Sequence, residues 1–203
     1  MANILIVYAS RTGQTEKIAR HIGAVIELEG HVARLVNAER EPIPADLARF
    51  RAIVVGGPVL MGGYPRAVQR FARDHRELLE KVPSAFFSVG LAIASRTSDG
   101  RAQTLQVVES FVRRTGWRPP RVELLAGLLA YSRYNFLLRF YMRHVAAHEG
   151  GSTDTSHDTE YTDFTEVERF AREIAKSAET GVGLEQPSPV PAHLAHPLGA
   201  TPA

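Results

Sequence analysis

Four apolar runs, at residues 3 to 9, 51 to 56, 84 to 90 and 122 to 129, recur along the chain with helical patterns between them, and this alternation constrains the fold more than any other property of the sequence. Each run is short, rich in β-branched or aromatic residues, and apolar along its length rather than at every second position. That is the pattern of strands covered on both faces, as parallel strands are. A weaker run at 32 to 36 makes a fifth. Between them, Val68, Phe71, Ala72, Leu78 and Leu79 repeat at helical spacing, as do Leu105, Val108 and Val112, and near the end Val167, Phe170, Ala171, Ile174 and Ala178. Thr165 with Glu168 has capping-box spacing and predicts the start of that last helix. Strands alternating with helices require right-handed crossovers, hence a doubly wound parallel α/β sheet of five strands.

The 203 residues suit one domain. With 44% hydrophobic and 23% charged residues the chain has ordinary globular composition. It contains no cysteine, which excludes disulfides, thiolate metal sites, iron–sulfur clusters and a cysteine nucleophile, so a redox role needs a bound cofactor. The formal charge is +2 with arginine scattered along the chain, so nucleic acid is not expected as a partner. The opening run has no basic leader, and no stretch approaches the roughly 20 apolar residues of a membrane span, which predicts a cytoplasmic protein. The predicted domain covers residues 1–178, with an insertion at 131–163 before the last helix. The tail at 179–203 carries Pro187, Pro189, Pro191, Pro197 and Pro202 with little periodicity and is expected to be disordered.

Strand one runs directly into Ser10, Arg11, Thr12, Gly13, Gln14 and Thr15, after which a helix begins. A loop that opens a helix presents backbone N–H groups at the positive end of the helix dipole, where a phosphate binds. Ser10, Thr12 and Thr15 add hydroxyls, Gly13 allows close approach of the backbone, and Arg11 adds charge or simply faces water. Ser10 or Thr12 alone would be an ordinary helix cap. The position after the first strand of a sheet whose switch point lies between strands one and three favours a nucleotide site. With neither Gly-x-Gly-x-x-Gly nor Gly-Lys-Thr present, a mononucleotide phosphate fits best.

This loop is similar to the FMN-phosphate loop of flavodoxins. Together with Thr12 to Thr15, the segments Pro83 to Val89, Trp117 to Pro119, Gly150 to Thr155 and Tyr161 to Phe164 resemble the menaquinone-dependent protoporphyrinogen IX dehydrogenase family, in order and over nearly residues 3 to 178. The resemblance implies a flavodoxin-like fold of strand order 2-1-3-4-5 and non-covalent FMN. It further implies oxidation of protoporphyrinogen IX to protoporphyrin IX, in haem biosynthesis, with a quinone as acceptor. The ring would be bordered by Pro58, Val59, Leu60, Met61, Gly62, Gly63 and Tyr64 after strand three, with Leu60, Met61 and Tyr64 packing on it. Ser88, Val89, Gly90 and Leu91 after strand four would supply backbone contacts. A plain strand-to-helix turn is the alternative for the first of these stretches. Because FMN carries the chemistry, no side chain is expected as a catalytic acid or base.

Family loops run closer to Gly-Ala-Ser-Ile-Arg-Tyr-Gly-His-Tyr, so Leu60 and Met61 stand here in place of an arginine and an aromatic residue. That departure leaves open an NAD(P)H:quinone-type flavoreductase. A flavodoxin-like electron carrier is a third reading, against which the slightly positive charge argues, since such carriers are usually acidic. The start of the insertion, 131–148, mixes Phe136, Leu137, Phe140 and Tyr141 with Arg133, Arg139 and Arg143. It reads either as an amphipathic helix touching the inner face of the cytoplasmic membrane or as packing against the sheet edge. His144 and His148 lack a third placed ligand, so no metal is expected.

Overall fold

The computed structural model describes residues 1–94, 98–129, 159–160 and 162–184. The insertion helix expected at 131–148, with His144 and His148, lies outside these residues, as do the Gly150 to Thr155 turn and the tail from 185 onward.

The strands are β1 (Asn3–Tyr8), β2 (Val32–Asn37), β3 (Ala52–Pro58), β4 (Ser84–Gly90) and β5 (Arg121–Ala126), and they form one parallel sheet in the order β2-β1-β3-β4-β5. This is the expected fold and strand order. Its connections are the helices α1 (Gln14–Leu28), α2 (Arg66–Asp74), α3 (Arg76–Lys81) and α4 (Ser98–Thr115), and α5 (Phe164–Thr180) closes the domain. Ile4, Leu5, Ile6 and Val7 of β1 are all wholly buried, because side chains that alternate across the strand meet helices on both faces. Complete burial of such a side chain stabilises by about 1.5–3 kcal/mol, which is why the central strands read as unbroken apolar runs.

Two cores result. Ile4 and Ile6 join Phe87 and the stripes of α1 and α5, including Ile18, Ile22, Phe170 and Ile174. On the opposite face Leu5 and Val7 join Phe86, Phe71, Phe111 and Trp117. Trp117 is fully buried with its ring edge-on to Phe86 and Phe111. It precedes β5, so the Trp117 to Pro119 motif belongs to the amino end of the sheet, opposite the loops considered below.

Three local features differ from the sequence reading. The strand expected over 122–129 ends at Ala126, and Leu128–Leu129 leaves the sheet as β6 to pair antiparallel with β7 (Thr159–Glu160). Beyond Gly90 there is no β4 left to pair with, so the chain takes a new partner. The stripe Val68 to Leu79 breaks at His75, whose backbone (φ −116°, ψ 21°) separates α2 from α3. The cap of the last helix is Asp163, two residues before the predicted one, because Asp163 Oδ1 accepts from the Thr165 amide at 2.9 Å and Thr165 itself lies within the first turn. Glu168 instead lies near Arg172 and His21.

Candidate functional site

Because the strands are parallel, the loops leaving β1, β3 and β4 emerge together at the carboxyl end of the sheet. The register sets Tyr8 beside Gly56 and Pro58 beside Val89. The crossover from β1 goes to β2 on one side, while β3 lies on the other. The loop after β1 therefore sits at the point where the strand order reverses, where open α/β sheets bind ligands.

Gly13 is the N-cap residue of α1 and adopts φ 94°, a left-handed conformation that costs a residue with Cβ about 1–2 kcal/mol. A glycine has no side chain to cap the helix, and Ser10 does so from three residues back. Its Oγ accepts from the amides of Gly13 and Glu16, each at 3.2 Å. The buried Ser10 hydroxyl thus shapes the loop from inside, and its own proton is left to donate. Gln14 and Thr15 are buried, Thr12 is half-buried, and Arg11 is exposed at the loop's outer side. The loop stands at the amino end of α1, the positive end of its dipole, a position that fits a phosphate; of the first-turn amides, those of Glu16 and Lys17 are already taken by Ser10 Oγ and the Gly13 carbonyl.

The Gln14 side chain turns away from the loop and donates through Nε2 to Thr162 Oγ1 at 2.8 Å, while Thr162 donates to the carbonyl of Ala126 at 2.7 Å. Sequence reasoning did not single out Thr162. The motif Tyr161 to Phe164 was visible as a resemblance, but a contact between residues 14 and 162 has no local signature. Phe164, the last residue of that motif, packs edge-on against His21 with ring centroids 4.9 Å apart and lies under the Lys17 ammonium.

On the far side of the switch point, Leu60 and Gly63 exchange backbone hydrogen bonds of 2.8 and 3.0 Å around Met61 (φ 48°) and Gly62 (φ 74°), the geometry of a type I′ turn. Met61 is the sole non-glycine residue with positive φ among the described residues, and its side chain is wholly exposed. Pro58, Val59 and Leu60 are half-buried. The stretch from Gly56 to Tyr64 contains no charged side chain, and neither does the 3₁₀ turn Leu91–Ala94 that follows β4.

Tyr64, expected against the ring, is turned into the core. It is 6% exposed, its ring is edge-on to Phe86 and Phe111, and its hydroxyl donates to Ser88 Oγ at 2.8 Å. Burial pushes its phenol well above the ordinary tyrosine range, so it stays neutral. Its place is to anchor the end of the loop. Ser88 is occupied by that bond, and the carbonyls of Val89 and Gly90 already accept from the amides of Val59 and Gly127. The turn beginning at Leu91 follows directly at the exit of β4.

A phosphate-shaped loop faces two uncharged, partly apolar loops across the switch point, which fits a flat aromatic ring joined to a phosphate. A groove of mixed charge, lined by Arg73, Asp74, Arg76, Glu77, Lys81 and Thr115 among others, lies at the other end of the sheet and belongs to none of these loops.

Fold and site together define a flavodoxin-type flavin domain, and the family model described as Flavodoxin domain matches residues 5–156. The chain belongs, within that class, to the family of proteins named protoporphyrinogen IX dehydrogenase [quinone]. The relative of that name from Escherichia coli (strain K12) is 35% identical over 171 residues, which cover 84% of this chain and 93% of the relative. The one from Leishmania major is 30% identical over 84% of this chain and 74% of its own length. Among solved structures, a short-chain flavodoxin associated with a PDU bacterial microcompartment aligns with a TM-score of 0.53 and 15% identity, covering 88% of this chain and 99% of that one, which bears on the fold alone.

Proposed function

We propose that this chain holds FMN between the 10–15, 58–64 and Leu91–Ala94 loops and oxidises protoporphyrinogen IX to protoporphyrin IX, passing the electrons to a quinone, in haem biosynthesis. The observation that carries the reading is the pairing of a phosphate-type loop with uncharged ring-side loops in a chain that aligns with 93% of the Escherichia coli relative's length. Bound FMN supplies reversible acceptance of hydride equivalents.

The protein's own contribution is binding, orientation and exclusion of water. Ser10 and Gly13 shape the phosphate loop. The neutral, buried Tyr64–Ser88 pair fixes the root of the ring-side loop. Leu60, Met61 and Leu91 offer apolar surface to a tetrapyrrole or a quinone, neither of which needs a charged partner at its ring. No side chain among the described residues is assigned a proton-transfer role. Menaquinone is a membrane lipid, so the reaction belongs at a membrane surface, with 131–148 as the candidate contact. Among the described residues no helix is long and apolar enough to cross a membrane.

A second reading, an NAD(P)H:quinone-type flavoreductase, is favoured by Leu60 and Met61, which stand where family loops carry an arginine and an aromatic residue. The experiment is anaerobic addition of protoporphyrinogen IX or NADPH to the purified holoprotein. Bleaching of the visible flavin bands by the porphyrinogen, reversed by a menaquinone analogue, supports the first reading. Bleaching by NADPH alone supports the second. A holoprotein that neither reagent bleaches fits a flavodoxin-like carrier.

A further inference from the structure

We infer that Thr162 is a positioning residue for the cofactor's phosphate, acting through Gln14. The inference rests on the reading that the 10–15 loop holds the phosphate of FMN.

The loop is held from two sides. Inside, Ser10 Oγ receives two amides at 3.2 Å, near the long limit of such bonds. Outside, Gln14 is the first residue of α1, adjacent to the left-handed Gly13, and its buried side chain is clamped by Thr162. The direction of that clamp is set by chemistry. A hydroxyl has one proton and the Ala126 carbonyl can only accept, so Thr162 spends its proton there and must accept from the Gln14 amide nitrogen. The orientation of the Gln14 amide, ordinarily ambiguous, is thereby fixed. Thr162 is in turn held by its surroundings. Asp163 caps α5 immediately after it. Two residues before it, Glu160 pairs with Leu128, itself two residues after Ala126. A β-branched threonine has few rotamers, so little ordering is needed to keep its hydroxyl in place.

The consequence is a rigid link from the loop after β1 to the end of β5, although β3 and β4 separate those strands in the sheet. Without it the first turn of α1 loses its tie to the end of β5. The amides that would receive the phosphate then lose part of their preorganisation, and affinity falls in proportion to how much the ligand depends on that loop.

The test compares FMN with riboflavin, which lacks the phosphate, by fluorescence titration of protein stripped of flavin from the purified holoprotein. Thr162→Val keeps the shape and removes the hydroxyl. It is expected to raise the FMN Kd about tenfold while leaving the riboflavin Kd within about twofold of wild type. Thr162→Ser should restore most of the FMN affinity. Gln14→Met removes the other partner and leaves the Thr162–Ala126 bond intact, so it should give the same FMN-selective loss even where Thr162→Val folds poorly. Combined, the two changes should do little more than either alone. Equal losses for both flavins would reduce Thr162 to a support of the fold and overturn the inference, as would unchanged FMN affinity in both single variants. Wild-type protein that binds riboflavin as tightly as FMN would overturn the phosphate-loop reading itself, an outcome recognisable without any variant.

Discussion

Gly56 and Phe87 stand opposite each other on β3 and β4, and the glycine's missing side chain is the space the ring occupies. A Cβ at Gly56 would lie 2.0 Å from Phe87 Cε1, 2.1 Å from Cζ and 2.4 Å from Cδ1. Carbon atoms in contact prefer about 3.5–4.0 Å, so the ring would have to retreat by roughly 1.5 Å. Phe87 is wholly buried within the core shared with α1 and α5, and close-packed interiors do not yield by that much. Gly56→Ala should therefore destabilise by about 1–3 kcal/mol, the range for overpacking. The effect should reach the site, because the Gly56 carbonyl accepts from the Ala9 amide at the exit of β1. The assay is urea unfolding of the holoprotein at fixed free FMN, followed by circular dichroism, since bound ligand contributes to apparent stability. Phe87→Leu in the Gly56→Ala background should recover at least about 1 kcal/mol relative to additivity. A Gly56→Ala protein within about 0.5 kcal/mol of wild type, or a strictly additive pair, would refute the reasoning.

Met61→Gly relieves a left-handed conformation at a fully exposed side chain and should stabilise the protein by up to about 1 kcal/mol in the same assay. Met61→Asp places a charge on the otherwise uncharged ring-side loop, and should raise the KM for the quinone severalfold with little change in FMN affinity. Asp163→Ala removes the cap of α5 and should cost about 1 kcal/mol, read from the urea midpoint. Burial raises the Glu123 carboxyl above its usual range, with Arg121 and Arg169 opposing it. A folded-state value above the unfolded one means that its contribution is present below the unfolded value and is lost as pH rises through the folded one. Stability from this group therefore fades as pH rises through its raised folded-state value, and Glu123→Gln should flatten that part of the pH profile.

The parallel sheet was legible because strands covered on both faces must be largely apolar, and β1, β3 and β4 carry a polar residue only at Asn3, Ser84 and Ser88. β6 and β7 were not, since a two-residue pair is set by a partner about thirty positions away rather than by its own pattern. The break at His75 interrupts an apolar stripe whose spacing carries no mark of it. The position of the Ser10 to Thr15 loop between a strand and a helix could be read because its groups are neighbours in the chain, and the phosphate role proposed for it rests on that position. Tyr64 could not, because periodicity does not distinguish an aromatic ring facing a ligand from one facing Phe86. The true cap does carry a local signal, since Asp163 with Glu166 has the spacing of a capping box two residues before Thr165, and the two overlapping signals differ only in register.

The antiparallel clasp of Leu128–Leu129 with Thr159–Glu160 has a bearing on how such a protein diversifies. A stretch whose two ends are anchored side by side is a graft. The pairing of Leu128–Leu129 with Thr159–Glu160 fixes both ends of that stretch beside the sheet. Selection could thus rewrite the residues between 129 and 159 while the loops at the carboxyl end of the sheet keep their anchors.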